Sequence, residues 1–112
     1  MQVNVDAQPA GVAVLRLAGR LDLLSAAIVK ERLAAAVAAG QRRLVVDLAE
    51  VPFIDSTGLT SLIGGLKAAR QAGGDLRLAR PSEQARTILR LTRLDRVLQP
   101  YPTVEEALAG YA

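Results

Sequence analysis

Two neighbouring stretches decide the reading of this chain: Arg43-Leu44-Val45-Val46-Asp47-Leu48, and then Val51-Pro52-Phe53-Ile54-Asp55-Ser56-Thr57-Gly58-Leu59. The first is apolar throughout its interior except at Asp47. A continuous run of that kind suits a strand covered on both faces rather than a half-exposed one. The second holds a proline loop, and a helix is expected to start near Ser56. Leu59, Leu62, Ile63 and Leu66 then repeat at i, i+3, i+4 and i+7, which predicts one buried helical face. Gly73-Gly74 ends it.

Working outward, Val3–Asp6 and Val12–Leu17 read as strands joined by a turn at Ala10-Gly11, and Gly19 ends the hairpin. Ser25 is the expected N-cap of a helix reaching about Ala39, with Ile28, Leu33, Ala36 and Val37 as its apolar face and Gly40 as its stop. Leu76–Ala79 reads as a short strand. Pro81-Ser82 opens a third helix, with Ser82 as cap, to about Leu94. Val97-Leu98 reads as one more short strand. Thr103 caps a last helix to Gly110, with Glu106 completing a capping box. Strands alternating with helices predict an α/β fold. The expectation is a mixed, mostly parallel sheet of four to five strands with about four helices, as a single domain over residues 1–112.

Composition narrows the chemistry. The 112 residues are 51% apolar, enough for a packed core without staples. There is no cysteine and no histidine. Thiol chemistry, the usual zinc sites and imidazole acid–base work are therefore excluded. The net charge is +3, but the basic residues are scattered and aromatics make up only 3% of the chain. Single-strand nucleic-acid platforms need aromatics, so nucleic acid is not an expected partner. The N-terminus lacks a basic start followed by an apolar run, and nothing approaches a membrane span. A cytoplasmic protein with no metal or cofactor is expected.

Asp55-Ser56-Thr57-Gly58 lies after a buried strand and at a helix start, where ligands of α/β sheets bind. Unpaired N–H groups and the positive end of the helix dipole suit a phosphate there. Gly58 leaves room for close approach by a partner backbone or phosphate. By spacing alone, Asp-Ser is equally an ordinary capping pair. Gly64 and Gly65 each cost about 1 kcal/mol inside a helix, which points to close packing against another element. Ser56 lacks a catalytic base. Lys67 is eleven positions on, about 16 Å along the same helix at 1.5 Å per residue, and the sequence does not place Lys30. The spacing is not that of a Walker phosphate loop either. No enzymatic activity is expected, and no catalytic residue is assigned. Arg86, Arg90 and Arg93 form a basic stripe on the third helix, most simply a solvated face. Asp47 reads as structural, and Phe53 as packing under the loop.

Leu44-Val45-Val46-Asp47-Leu48 with Val51–Leu59 resembles the signature of the STAS domain family, and more narrowly of its stand-alone bacterial anti-sigma factor antagonists. Gly19-Arg20-Leu21-Asp22 with Ser25-Ala26, Gly73-Gly74-Asp75-Leu76 and Leu91-Thr92-Arg93-Leu94 extend the resemblance over nearly the whole chain. The resemblance implies partner switching. Unphosphorylated antagonist binds an anti-sigma factor that is also a serine kinase, and this frees a sigma factor. The kinase spends ATP to phosphorylate the antagonist, and a metal-dependent serine/threonine phosphatase resets it. The implied phosphorylation site is Ser56. Asp22, Asp55, Thr57 and Gly58 form the implied binding surface, with Asp55 capping the helix or orienting the hydroxyl. The resemblance also admits two alternative roles for the chain: a non-phosphorylated STAS subunit of a membrane lipid or solute transport complex, or a small-molecule-sensing STAS module.

Overall fold

The central strand of the sheet buries alternate side chains in two separate cores, and the rest of the architecture follows from that division. In the computed structural model, which describes residues 1–111, the strands are β1 (Gln2–Gln8), β2 (Val12–Ala18), β3 (Arg43–Glu50), β4 (Asp75–Ala79) and β5 (Pro100–Tyr101). The helices are α1 (Ala26–Ala38), α2 (Ser56–Gln71), α3 (Glu83–Leu91) and α4 (Val104–Ala109). The spatial strand order is β1-β2-β3-β4-β5, with β1 antiparallel to β2 and every later pair parallel. The expected mixed α/β sheet is therefore what forms.

Side chains alternate across a strand. Leu44, Val46 and Leu48 enter the main core with Leu15 and Leu17 of β2, Leu76 and Leu78 of β4, and the inner faces of α1, α2 and α3. Val45 enters a second, smaller core with Val14, Ala79, Val104 and Ala107, where α4 closes the opposite face. Both faces are covered, which explains the unbroken apolar run. Asp47 shares the face of Val45 but lies where helix α4 does not carry apolar cover. It is 2% exposed, with Arg80 donating to both carboxylate oxygens and Arg16 at 3.7 Å. Its structural role holds, in a central strand and not near an edge. Asp47 in turn raises the pKa of the Arg80 guanidinium.

Four local expectations are corrected. Ser25 does not cap α1. Its backbone is already helical (φ −105°, ψ −13°), and its hydroxyl donates to the Arg20 carbonyl and accepts the Asp22 N–H. The buried face of α1 is Ala26, Val29, Leu33 and Ala36, while Ile28 is 45% exposed. Ile28 and Val29 are adjacent aliphatic residues, and the buried one is Val29. Helix α3 stops at Leu91 because the Thr92 hydroxyl turns back onto the Ile88 carbonyl and Arg93 takes a left-handed conformation (φ +60°). Arg93 therefore leaves the stripe, and of the three arginines Arg86 and Arg90 remain on the helix, both exposed. The last strand is Pro100–Tyr101 rather than Val97-Leu98. Leu98 instead plugs the main core, fully buried. A proline is tolerated there because β5 is an edge strand.

The two helical glycines differ. A Cβ at Gly65 would lie 2.5 Å from Leu33 Cδ1 and 3.1 Å from Leu33 Cβ, so α1 and α2 touch at that point. A Cβ at Gly64 would meet only the Lys30 stem, at ordinary contact distances from 3.7 Å. Gly65→Ala should therefore destabilise the protein by about 1–3 kcal/mol through overpacking. Gly64→Ala should leave stability unchanged or raise it by up to about 1 kcal/mol through helix propensity. Urea unfolding of the two variants side by side checks this; equal effects would refute the assigned contact.

Candidate functional site

After β3 the chain turns through Val51 and Pro52 and runs extended through Phe53, Ile54 and Asp55. This segment pairs with Leu21 on the link between β2 and α1. The Leu21 N–H donates to the Phe53 carbonyl at 2.9 Å, and the Asp55 N–H donates to the Leu21 carbonyl at 3.2 Å. Leu21 and Ile54 are both fully buried. The Ile54 N–H and C=O point away from Leu21 and meet the Gln84 side chain of α3, at 2.9 and 2.7 Å.

Asp55 then caps α2. Its backbone is extended (φ −104°, ψ −177°), and its Oδ1 accepts the Gly58 N–H at 2.8 Å. Its carbonyl accepts the Leu59 N–H. The capping duty read for Asp55 is thus present. Ser56 is the first residue of α2 and is exposed, and its hydroxyl has no hydrogen-bond partner among the described residues. Thr57 is half-buried. Gly58 is buried: a Cβ there would overlap the Leu21 carbonyl oxygen. The close approach expected at Gly58 therefore occurs within the chain and supports the site from below. Gly58 is not a surface that a partner touches.

Asp22 stands one residue beyond Leu21, as Asp55 stands one beyond Ile54, so the pairing brings the two acidic positions alongside each other. Asp22 Oδ1 accepts the Leu24 N–H at 3.0 Å, and Oδ2 lies 3.6 Å from Arg20 Nε. The Arg20 guanidinium lies over the Phe53 ring, 4.3 Å from its centre, so Phe53 is half-buried beneath an arginine and a loop. Stacking of this kind adds about 0.5–1 kcal/mol at an exposed site.

Next to the acidic pair are Leu23 and Leu24, 72% and 88% exposed. With Ile28 they form an apolar ridge along the start of α1. A groove of about 170 Å³ separates that start from α2, with Lys30, Thr57 and Thr60 among its lining residues. Lys30 makes no hydrogen bond to Ser56 among the described residues; the side-chain hydrogen bond to Ser56 is from the Thr60 hydroxyl to its carbonyl, at 2.9 Å. A second hollow of about 220 Å³ lies between Arg16, Asp47, Glu50 and Arg80. Its arginines are already engaged by Asp47, and Ser56 is not part of it. Among the described residues no group of three His, Cys, Asp or Glu is placed to hold a metal ion.

Sequence reasoning did not find Gln84, the brace made by Ser25, or the ridge. The adjacent leucines at 23 and 24, out of phase with the buried face of α1, signalled the ridge; nothing in the sequence pairs Gln84 with Ile54.

The geometry assigns separable costs. Asp55→Ala should lower stability by about 1 kcal/mol, the usual value of a cap. Gly58→Ala should cost more, about 2–3 kcal/mol or above, because the Cβ meets backbone that cannot rotate away. Denaturant midpoints with unchanged slopes would check both. A neutral Gly58→Ala would show that the Leu21 segment is not seated as described.

The model of the STAS domain family matches residues 4–107. The anti-sigma-F factor antagonist RsfB of Mycobacterium tuberculosis is 36% identical over 100 residues, covering 89% of this chain and 81% of that protein. The crystal structure of an anti-sigma factor antagonist from Mycobacterium paratuberculosis superposes with a TM-score of 0.84 at 29% identity, over 97% of this chain and 92% of the other. SpoIIAA of Bacillus, at 17–20% identity, shares the fold in its unphosphorylated form (TM-score 0.75, 98% and 96% coverage) and in its phosphorylated form (0.76, 99% and 100%). With a family model matching residues 4–107 and a relative 36% identical over most of both chains, the chain belongs to the STAS domain family.

Proposed function

We propose that this chain is an anti-sigma factor antagonist that binds an anti-sigma factor serine kinase through the face around Ser56 and is released when Ser56 is phosphorylated. The observation that carries this reading is the placement of Ser56. Its hydroxyl is exposed and unengaged, while Asp55, Gly58 and the Leu21–Ile54 pairing hold the segment on either side of it. A kinase needs such a hydroxyl presented on a fixed backbone. Thr57 is the less accessible of the two neighbouring hydroxyl residues.

The docking face in this reading combines the apolar ridge of Leu23, Leu24 and Ile28 with the carboxylates of Asp22 and Asp55. Apolar area drives association, and polar groups set register. Phosphorylation adds about −1.5 to −2 charges at pH 7. The added charge falls on a face that already carries two carboxylates, and a docked, water-poor partner surface makes its burial costly. The helix start receives the phosphate locally, so the backbone has no need to move. The similar fit of the two SpoIIAA forms to this chain supports a switch without refolding. ATP belongs to the kinase in this scheme. A metal-dependent serine/threonine phosphatase removes the phosphate and restores binding.

Incubation with an anti-sigma factor kinase and ATP, followed by mass spectrometry, should place one phosphate on Ser56. It should place none on Ser56→Ala, and Thr57→Ala should remain a substrate. Ser56→Asp should weaken kinase binding roughly tenfold or more, while Ser56→Ala keeps it. A chain that stays unmodified, with Ser56→Asp binding as well as wild type, would overturn the proposal.

A further inference from the structure

Gln84 does for Ile54 what a neighbouring strand does for a strand residue. Phe53–Asp55 is extended and has a backbone partner on one side only, at Leu21. The Ile54 N–H and C=O face the other side. Ile54 is fully buried, and Leu21 uses the bonds of Phe53 and Asp55, not those of Ile54. A buried peptide group without partners is costly, and native structures almost never leave one. Gln84, in the first turn of α3, supplies both partners with one carboxamide: Oε1 accepts the Ile54 N–H at 2.9 Å, and Nε2 donates to the Ile54 carbonyl at 2.7 Å. Few side chains present a neutral donor and acceptor together in the geometry of a peptide group, and glutamine is one of them. Helix α3 is itself held. The Ser82 hydroxyl caps it by accepting the Ala85 N–H, and Ala85 and Leu89 are fully buried.

We propose that Gln84 is the positioning residue of the acceptor segment: its two hydrogen bonds to Ile54 fix the backbone two residues before Ser56 and so hold the acceptor hydroxyl in one place for the kinase. The clamp itself is read from geometry alone; its consequence for phosphate transfer rests on Ser56 being the acceptor. Among the described residues Gln84 hydrogen-bonds through its side chain to Ile54 and not to the Ser56 hydroxyl, so it acts through Ile54.

The test uses the full chain and two variants, Gln84→Leu and Gln84→Glu. Leucine keeps the bulk and removes both polar groups. Glutamate above its pKa keeps an acceptor for the Ile54 N–H but sets a carboxylate oxygen against the Ile54 carbonyl. At pH 7 the hydrogen-exchange protection of the Ile54 amide should fall roughly 10- to 100-fold in both, as expected when a buried group loses its partner. The amides of Leu44, Val46 and Leu48 should keep their protection. Lowering the pH from about 7 to about 4.5 should restore Ile54 protection in Gln84→Glu alone, because a protonated carboxyl regains a donor and burial raises its pKa. The carboxylates near the clamp are Asp55 beside Ile54, Glu83 beside Gln84, and Asp22 beside Leu21; wild type measured at the same pH values accounts for them. At pH 7 phosphorylation of Ser56 should slow at least tenfold in both variants, and lower kcat should contribute, not only higher KM.

Unchanged Ile54 protection, or a Gln84→Glu profile with no recovery at low pH, overturns the clamp. Protection lost with wild-type phosphorylation kinetics overturns the positioning role. Wild-type Ser56 that refuses phosphate overturns the acceptor reading and leaves the exchange data to decide the clamp alone. Should Gln84→Leu not fold, Gln84→Glu at its two pH extremes decides the matter.

Discussion

The seating of the first turn of α2 against Leu21 governs the whole site. The Leu21 carbonyl accepts the Asp55 N–H and occupies the space where a side chain at position 58 would stand. That one oxygen joins three segments: the link after β2, the loop after β3 and the start of α2. Every exposed feature of the face depends on it. Asp22 comes alongside Asp55 because Leu21 pairs with Ile54. Leu23 and Leu24 are pushed outward because Leu21 is fully buried and the chain then turns sharply through Ser25 into α1.

Around that contact the protein is a packed support that holds an exposed, chemically mixed surface. The two-sided core holds β3, and Gly65 draws α1 and α2 together. The brace from Ser25 to Arg20 and Asp22 stiffens the acidic loop. At the surface lie a free hydroxyl, two carboxylates and three aliphatic side chains. Such a division suits the proposed switch: on a face held from behind, a phosphate on Ser56 would act as repulsion at the partner, where a looser face would relax around it.

On the opposite side of the sheet, Asp47 shows how an isolated charge can be reconciled with a buried strand. Arg80 follows β4 in a left-handed conformation (φ +53°) and reaches back to the carboxylate, and Arg16 approaches from β2. The ion pair ties the carboxyl ends of three neighbouring strands. A buried carboxylate without those arginines would be strongly destabilising. In sequence Asp47 was legible as structural, but its partners lie 31 positions upstream and 33 downstream, and no local pattern names them.

What the sequence determined by itself was the order of elements, the buried character of β3, the start of α2 and the serine at that start. These are local properties: periodicity, capping chemistry and the positions of glycine and proline. On the buried face of α1 it had Leu33, Ala36 and Val37 but took Ile28 in place of its aliphatic neighbour Val29. It misassigned Ser25, because a serine before a helix can cap it or brace the preceding loop, and the choice depends on where Arg20 and Asp22 lie. Only the tertiary structure decided that Gly58 yields its space to Leu21 and that Gln84 completes the bonds of Ile54. It alone brought Asp22 beside Asp55. Each of these contacts joins residues 30 or more positions apart, through backbone groups that every residue carries, and such groups leave no trace in the amino-acid sequence.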